Sequence, residues 1–162
     1  MSETTKVQID LYRATSELIK QRLVGLSEEQ LAWKQAPEKW SVKEVVSHLV
    51  DASFVHSVRI RSIVAENSQA FLLYEQDAWV SSTKANQSDL KDILAAFDAV
   101  LAYNALFYER LTDDQWERKG LNQGKELTIS DLFQGFIRHV QVHLAQIQRN
   151  LDALASNEHI KR

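Results

Sequence analysis

His139 and His143 fall one helical turn apart in the stretch FIRHVQVHLAQIQRNL, residues 136–151. Around them Phe136, Ile137, Val140, Leu144 and Ile147 recur at helical spacing, so the pair lies inside an apolar stripe. Positions i and i+4 differ by about 40° around a helix and by about 6 Å along it. Both rings therefore project to one side and reach a common ion, the geometry of His-x-x-x-His zinc helices. A third ligand has to come from another helix. His48, in WSVKEVVSHLV, shares a face with Val45, Ala52 and Val55 and fits that role. His56 stands about 12 Å further along the same helix by its rise per residue, too far to share an ion with His48. It reads as an ordinary half-buried histidine, and His159 falls in the C-terminal tail. The bland alternative is that each ring bonds a carbonyl or carboxylate, as a buried imidazole must find some partner. Spacing alone leaves both readings open.

The elements that must position these rings are long helices. Residues about 4–24 carry Val7, Ile9, Leu11, Leu18, Ile19 and Leu23 at mostly helical spacing. Ser27 and Gln30 then have the spacing of a capping box on one short turn, and Pro37 marks a break. Ser41 and Glu44 predict a second capping box, with Trp40 and Val45 as hydrophobic staple, opening a helix that runs to about residue 67. Residues 68–87 are the least regular part. A third helix spans about 88–111, with Leu90, Ile93, Leu94, Phe97, Val100, Leu101 and Leu106 inward. LTDDQWERKGLNQGKEL reads as a capped turn and a loop, and a fourth helix starts at Thr128, stapled by Leu127 and Leu132, and ends near residue 155. L-S-E-E-Q before the second helix echoes L-T-D-D-Q before the fourth, and W-S-V-K-E echoes L-T-I-S-D, which suggests a pseudo-twofold bundle. The 68–87 connection stretches roughly 65 Å, while a helix of about 27 residues is roughly 40 Å long. It can return along the whole bundle. The expected fold is all-α, an up-down-down-up four-helix bundle with a long crossover between helices two and three, as one domain over residues 1–162.

Composition excludes several functions. With 19 Lys and Arg against 22 Asp and Glu, the net charge is −3, which argues against a nucleic-acid partner. The absence of cysteine removes disulfides, thiolate ligands and a Cys nucleophile. MSETTKVQID lacks the regions of a signal peptide, and Asp98 and Asn104 interrupt the richest apolar stretch, so no membrane partner and a cytoplasmic location are expected. No nucleotide loop, G-x-S-x-G or H-E-x-x-H is present. The apolar residues on more than one face of the first helix (Val7, Ile9, Leu11, Tyr12) predict a homodimer.

WSVKEVVSHLVDA, LLYEQDAW and LTISDLFQGFIRHVQVHLAQI resemble, in order and spacing, the DinB/YfiT-like family of metal-dependent enzymes. That family shows W-S-x-x-E-x-x-x-H-L-x-D, a mid-chain acidic and aromatic segment, and H-x-x-x-H-x-x-Q-I. The resemblance runs from about residue 10 to residue 150. It implies the up-down-down-up bundle and a divalent transition metal, nickel or zinc, on His48, His139 and His143. It further implies a small-molecule substrate, a low-molecular-weight thiol above all, since the characterised members are S-transferases or thiol-dependent isomerases. Many relatives have a doubled His or a Gly in the last motif, where this chain has Val142-His143 and Leu144-Ala145; that departure touches substrate contacts more than the metal.

Three neutral imidazoles leave a coordination position open, which marks a catalytic site. Asp51, one turn after His48, is placed either to orient a ligand from behind or to stand in solvent. Asp77 and Trp79 are candidates for the pocket mouth, although packing of the long loop onto the bundle also accounts for Trp79. Arg138 points about 100° away from His139, towards the surface. The expected function is activation or transfer of a small thiol at the metal. The alternatives are a hydrolase in which the ion activates water, a non-catalytic metal or ligand binder, and a bundle whose histidines only pack.

Overall fold

A computed structural model describes residues 3–66, 73–122 and 124–160. The chain forms α1 (Glu3–Leu23), α2 (Glu28–Ala32), α3 (Val42–Glu66), α4 (Gln76–Thr83), α5 (Leu90–Tyr108), α6 (Asp113–Trp116), the strands β1 (Lys119–Asn122) and β2 (Lys125–Thr128), and α7 (Ile129–Ile160). No helix among the described residues is long and apolar enough to cross a membrane.

The four long helices form because each buries one stripe at helical period. In α5 the stripe is Leu90, Leu94, Phe97, Leu101, Ala105 and Tyr108, and in α7 it is Leu132, Phe136, Val140, Leu144 and Ile147. Leu106 lies on the outer side of α5 and is exposed, while Asn104 takes an inward place that its polarity disguises. Asn104 is satisfied there. Its Oδ1 accepts from Ser57 at 2.8 Å and Arg61 at 3.1 Å, and its Nδ2 donates to the Tyr12 hydroxyl at 3.1 Å. On α1, Ile9, Tyr12, Ile19 and Leu23 are buried, whereas Val7, Leu11 and Leu18 remain exposed.

Cross-links between helices fix the directions. Tyr12 and Lys20 of α1 meet Asn104 and Asp98 of α5, so those two run antiparallel. Lys43 and Ser57 of α3 meet Ser88 and Asn104, so α3 and α5 run parallel. Tyr12 packs on Phe133 and Phe136, and Arg22 donates to the Leu144 carbonyl, which makes α1 and α7 parallel. The bundle is up-down-down-up. Its crossover brings Asn86 and Ser88 back beside Ser41 and Lys43, the full length of α3 away from Glu66.

That crossover is more ordered than its sequence suggests. It contains α4 and a 3-10 turn, Ala85–Gln87, with Val80 and Ala85 buried. Residues 67–72, its beginning, lie outside the described residues. The segment expected as a loop before the last helix is instead a hairpin, with Lys119 paired to Thr128 and Asn122 to Lys125, turning at Gly124 with φ 80°. Only glycine adopts that conformation freely. The helix α7 also continues to Ile160, past the expected end near residue 155.

Both predicted capping boxes form, at Ser27 and Ser41, and the capped turn at Thr112 and the start of α7 at Thr128 carry the same reciprocal pairing. Ser27 with Gln30 and Thr112 with Gln115 bond reciprocally. The Ser41 amide donates to Glu44 at 2.8 Å while its Oγ accepts from the Glu44 amide at 3.1 Å, and Thr128 with Asp131 does the same at 3.0 and 2.9 Å.

Candidate metal centre

Antiparallel packing of α3 on α7 brings His48, near the start of one helix, against His139 and His143 in the middle of the other. The Nε2 atom of His139 lies 3.1 Å from Nε2 of His48 and 3.0 Å from Nε2 of His143. All three ligand atoms fall within 4.8 Å of one another. His48 is fully buried and His143 is 7% exposed.

The other ring nitrogens decide what this convergence means. His143 Nδ1 donates to the Gln146 amide oxygen at 2.8 Å, which leaves its Nε2 lone pair facing inward. His48 Nδ1 lies 3.0 Å from the Tyr74 hydroxyl. Burial holds all three rings in the neutral form. It pushes His48 down to about 3, with the charges of His143 and His139 adding to the effect, and His139 down to about 4, with His143 adding. Burial also lowers His143, partly opposed by its bond to Gln146. Three neutral imidazoles, Nε2 to Nε2, hold lone pairs that a proton on one ring cannot all satisfy. A divalent cation satisfies all three, and the donor set suits one of intermediate softness.

Several residues around the rings are the sequence candidates, and others are not. Trp40 lies over His48 at 4.9 Å and is stacked on His143 at 6.1 Å, with its carbonyl accepting from Asn150. Tyr74 stacks on His48 at 6.0 Å. Trp79 meets Tyr74 edge-on at 4.8 Å, so it braces the wall from outside, as loop packing requires. Asp77 is exposed and lines an outer cavity of about 290 Å³ with Trp40, His143 and Gln146. Asp51 is half-buried, and its Oδ2 has no hydrogen-bond partner among the described residues. Burial raises its pKa, and its charge helps to raise that of the Tyr74 phenol. The contact behind His48 is therefore Tyr74 in place of Asp51. Tyr74 was visible in LLYEQDAW and Gln146 in the last motif, but only the folded crossover and helix turn them towards the rings. His56 stays outside the cluster, packing edge-on against Phe136 at 5.2 Å, and Arg138 is exposed.

The DinB superfamily model matches residues 11–147. The chain belongs to the DinB superfamily. Among its relatives, a Bacillus licheniformis protein named "Putative metal-dependent hydrolase" is 25% identical over 142 residues, 86% of this chain and 81% of that one. A Geobacillus thermodenitrificans protein of the same name is 25% identical over 150 residues, 90% of this chain and 83% of its own. The solved structure of YfiT from Bacillus subtilis, whose four-helix bundle topology is described as unusual, superposes with a TM-score of 0.86 at 20% identity, covering 96% of this chain and 90% of that chain. A mycothiol-dependent maleylpyruvate isomerase superposes at 0.71 with 11% identity, over 88% of this chain and 60% of that chain. This member of the superfamily thus shares its bundle with both.

Proposed function

We propose that the chain is a metal-dependent enzyme that holds one divalent transition ion, nickel or zinc, on the Nε2 atoms of His48, His139 and His143, and uses it to activate or transfer a small thiol. The observation that carries this reading is the convergence of three neutral imidazoles, two of them already engaged at their outer nitrogens. Three such ligands leave a divalent ion an open position, where it acts as a Lewis acid and lowers the pKa of a thiol or water. Being uncharged, the side chains leave the ion's charge uncompensated, which favours an anionic nucleophile such as a thiolate. Gln146 fixes the tautomer of His143, Tyr74 orients His48, and Trp40 covers one side of both rings against bulk water.

The thiol is supported by the earlier resemblance and by the mycothiol-dependent neighbour in fold. A second reading, a hydrolase in which water takes the thiol's place, is supported by the names of the curated relatives. Elemental analysis of protein purified without a histidine tag tests the first step, with about one equivalent of transition metal expected. Less than a tenth of an equivalent, after growth with nickel and zinc supplied, overturns it. Cobalt-substituted protein then separates the nucleophiles. A sulfur-to-metal charge-transfer band on adding a thiol supports transfer; no band with any of several thiols supports the hydrolase.

A further inference from the structure

Around His48 one hydrogen-bond donor is left over. Its Nε2 faces the other two rings, so an ion held there puts the ring's proton on Nδ1. That N–H then donates to the Tyr74 hydroxyl, 3.0 Å away, whose oxygen is the acceptor. The hydroxyl's own hydrogen is left to find a partner elsewhere. Among the described residues Tyr74 makes no second hydrogen bond. Asp51 is near enough for its charge to act on the phenol, yet no hydrogen bond joins the two.

Tyr74 and His139 border a cavity of about 210 Å³ that has Ala52, Val55 and Leu73 as its apolar wall. The cavity is smaller than the roughly 300–1,000 Å³ usual for drug-sized ligands, so its occupant is small. Arg59, also in the wall, is already engaged within the molecule and carries only donors. It neither accepts the Tyr74 hydrogen nor stands ready for a carboxylate, so a neutral acceptor suits the space. We propose that the Tyr74 hydroxyl is a substrate-binding donor: it holds the oxygen of a small, uncharged carbonyl compound whose carbon frame lies against Ala52 and Val55, beside His139. This compound is the electrophile that meets the thiol, and the inference rests on the proposed metal site for the tautomer of His48. The oxygen so held is where negative charge collects when a nucleophile adds to a carbonyl compound, so the contact strengthens as that charge develops.

The probes are cyclopentanone and methylenecyclopentane, which share a ring and differ in whether the exocyclic atom is an acceptor. Each is titrated by NMR into zinc-loaded protein. Zinc is kept saturating and its content measured on the same samples, because Tyr74 also orients His48. The ratio of ketone to alkene affinity is expected to fall about fivefold in Tyr74→Phe, the worth of one net hydrogen bond. The infrared C=O stretch of the bound ketone is expected to lie lower in the parent than in Tyr74→Phe at equal zinc content. A tyrosine that only packs would not move it. Ala52→Leu, which fills the space and keeps the hydroxyl, is expected to exclude both probes. No ketone binding to the zinc-loaded parent, an unchanged ratio and stretch in zinc-replete Tyr74→Phe, or undiminished ketone binding in Ala52→Leu overturns the inference and leaves the metal reading standing. Protein that takes up no zinc overturns the metal reading, and the inference with it.

Discussion

The helices α3 and α7 begin alike and end up with different duties. Each opens on a reciprocal capping box, at Ser41 and Thr128 respectively. At 7, 11 and 15 residues past the cap, α3 carries His48, Ala52 and His56, while α7 carries Gly135, His139 and His143. Because the two helices run antiparallel, early positions of one face late positions of the other. His48 meets His143, with ring centroids 4.6 Å apart, and His56 meets Phe136. The middle level is where they differ most. There α7 has His139 and α3 has only a methyl group, and the space beside Ala52 and His139 is the cavity. A repeated frame has been made asymmetric. One helix supplies two of the three clustered histidines, and the other supplies one histidine and the wall of a chamber.

The strongest way to break this comparison is to remove one of the proposed ligands from either helix. His139→Ala and His48→Ala are each expected to lower metal affinity by more than about 100-fold, beyond the about 10- to 100-fold seen when only an outer contact is lost. Both variants should stay helical by circular dichroism, because caps and apolar stripes are untouched. His56→Ala, at the level of His143 in the repeat, should keep full metal content by elemental analysis. Full metal in His48→Ala would show that α7 alone holds the ion.

Next come the contacts that orient the rings. Gln146→Leu acts on α7 within its own helix, and Tyr74→Phe acts on α3 through the crossover. Each should weaken metal binding by about 10- to 100-fold in a competition titration. An unaffected Tyr74→Phe would mean that packing by Trp40 suffices to orient His48.

Filling the chamber sharpens the contrast further. Ala52→Leu, which fills the space beside His139 without touching the three clustered rings, is expected to leave metal content at the parent value by elemental analysis. A larger side chain in a packed wall costs about 1–3 kcal/mol in stability, to be read from a denaturant midpoint. Loss of metal in that variant would show that the space beside Ala52 is needed to keep His139 in place.

Acid should act on the metal-free protein through both helices. Unfolded histidines take up protons below their ordinary value of 6.5, but His48 and His56 in the folded chain do so only near 3 and His139 only near 4. The unfolded state therefore binds more protons between these limits, and stability falls as pH drops from about 6.5 towards 4. Urea midpoints measured across that range should decline steadily. His56→Leu should flatten the decline, and an unchanged slope would assign the acid sensitivity to other groups.

The smallest effect belongs to the shared frame. Loss of a cap costs about 1 kcal/mol, or roughly 2–4 °C in melting temperature for a chain of this size. Ser41→Ala should cost more than Thr128→Ala, because Ser41 is fully buried and its hydroxyl also donates to Asn86 at 2.6 Å. Equal shifts would make that extra bond energetically silent.

Local rules made much of this legible beforehand. Capping boxes need only residues three apart, helical stripes need only their period, and His139 with His143 need only one turn of helix. The crossover's length even permitted the parallel pairing of α3 and α5. What lies between distant segments was decided by tertiary packing. Tyr74 reaches His48 across 26 residues of chain, and Asn104 enters the core because Ser57 and Tyr12 arrive to satisfy it. The hairpin at 119–128 is short and alternates weakly, and it is held where the Ile129 amide donates to the Arg118 carbonyl at 2.9 Å. Periodicity assigns a side chain to a face; only the antiparallel docking of α3 on α7 sets which level of one face meets which level of the other. That level, His48 against His139 and His143 with Ala52 leaving room beside them, is what turns three histidines into a candidate site.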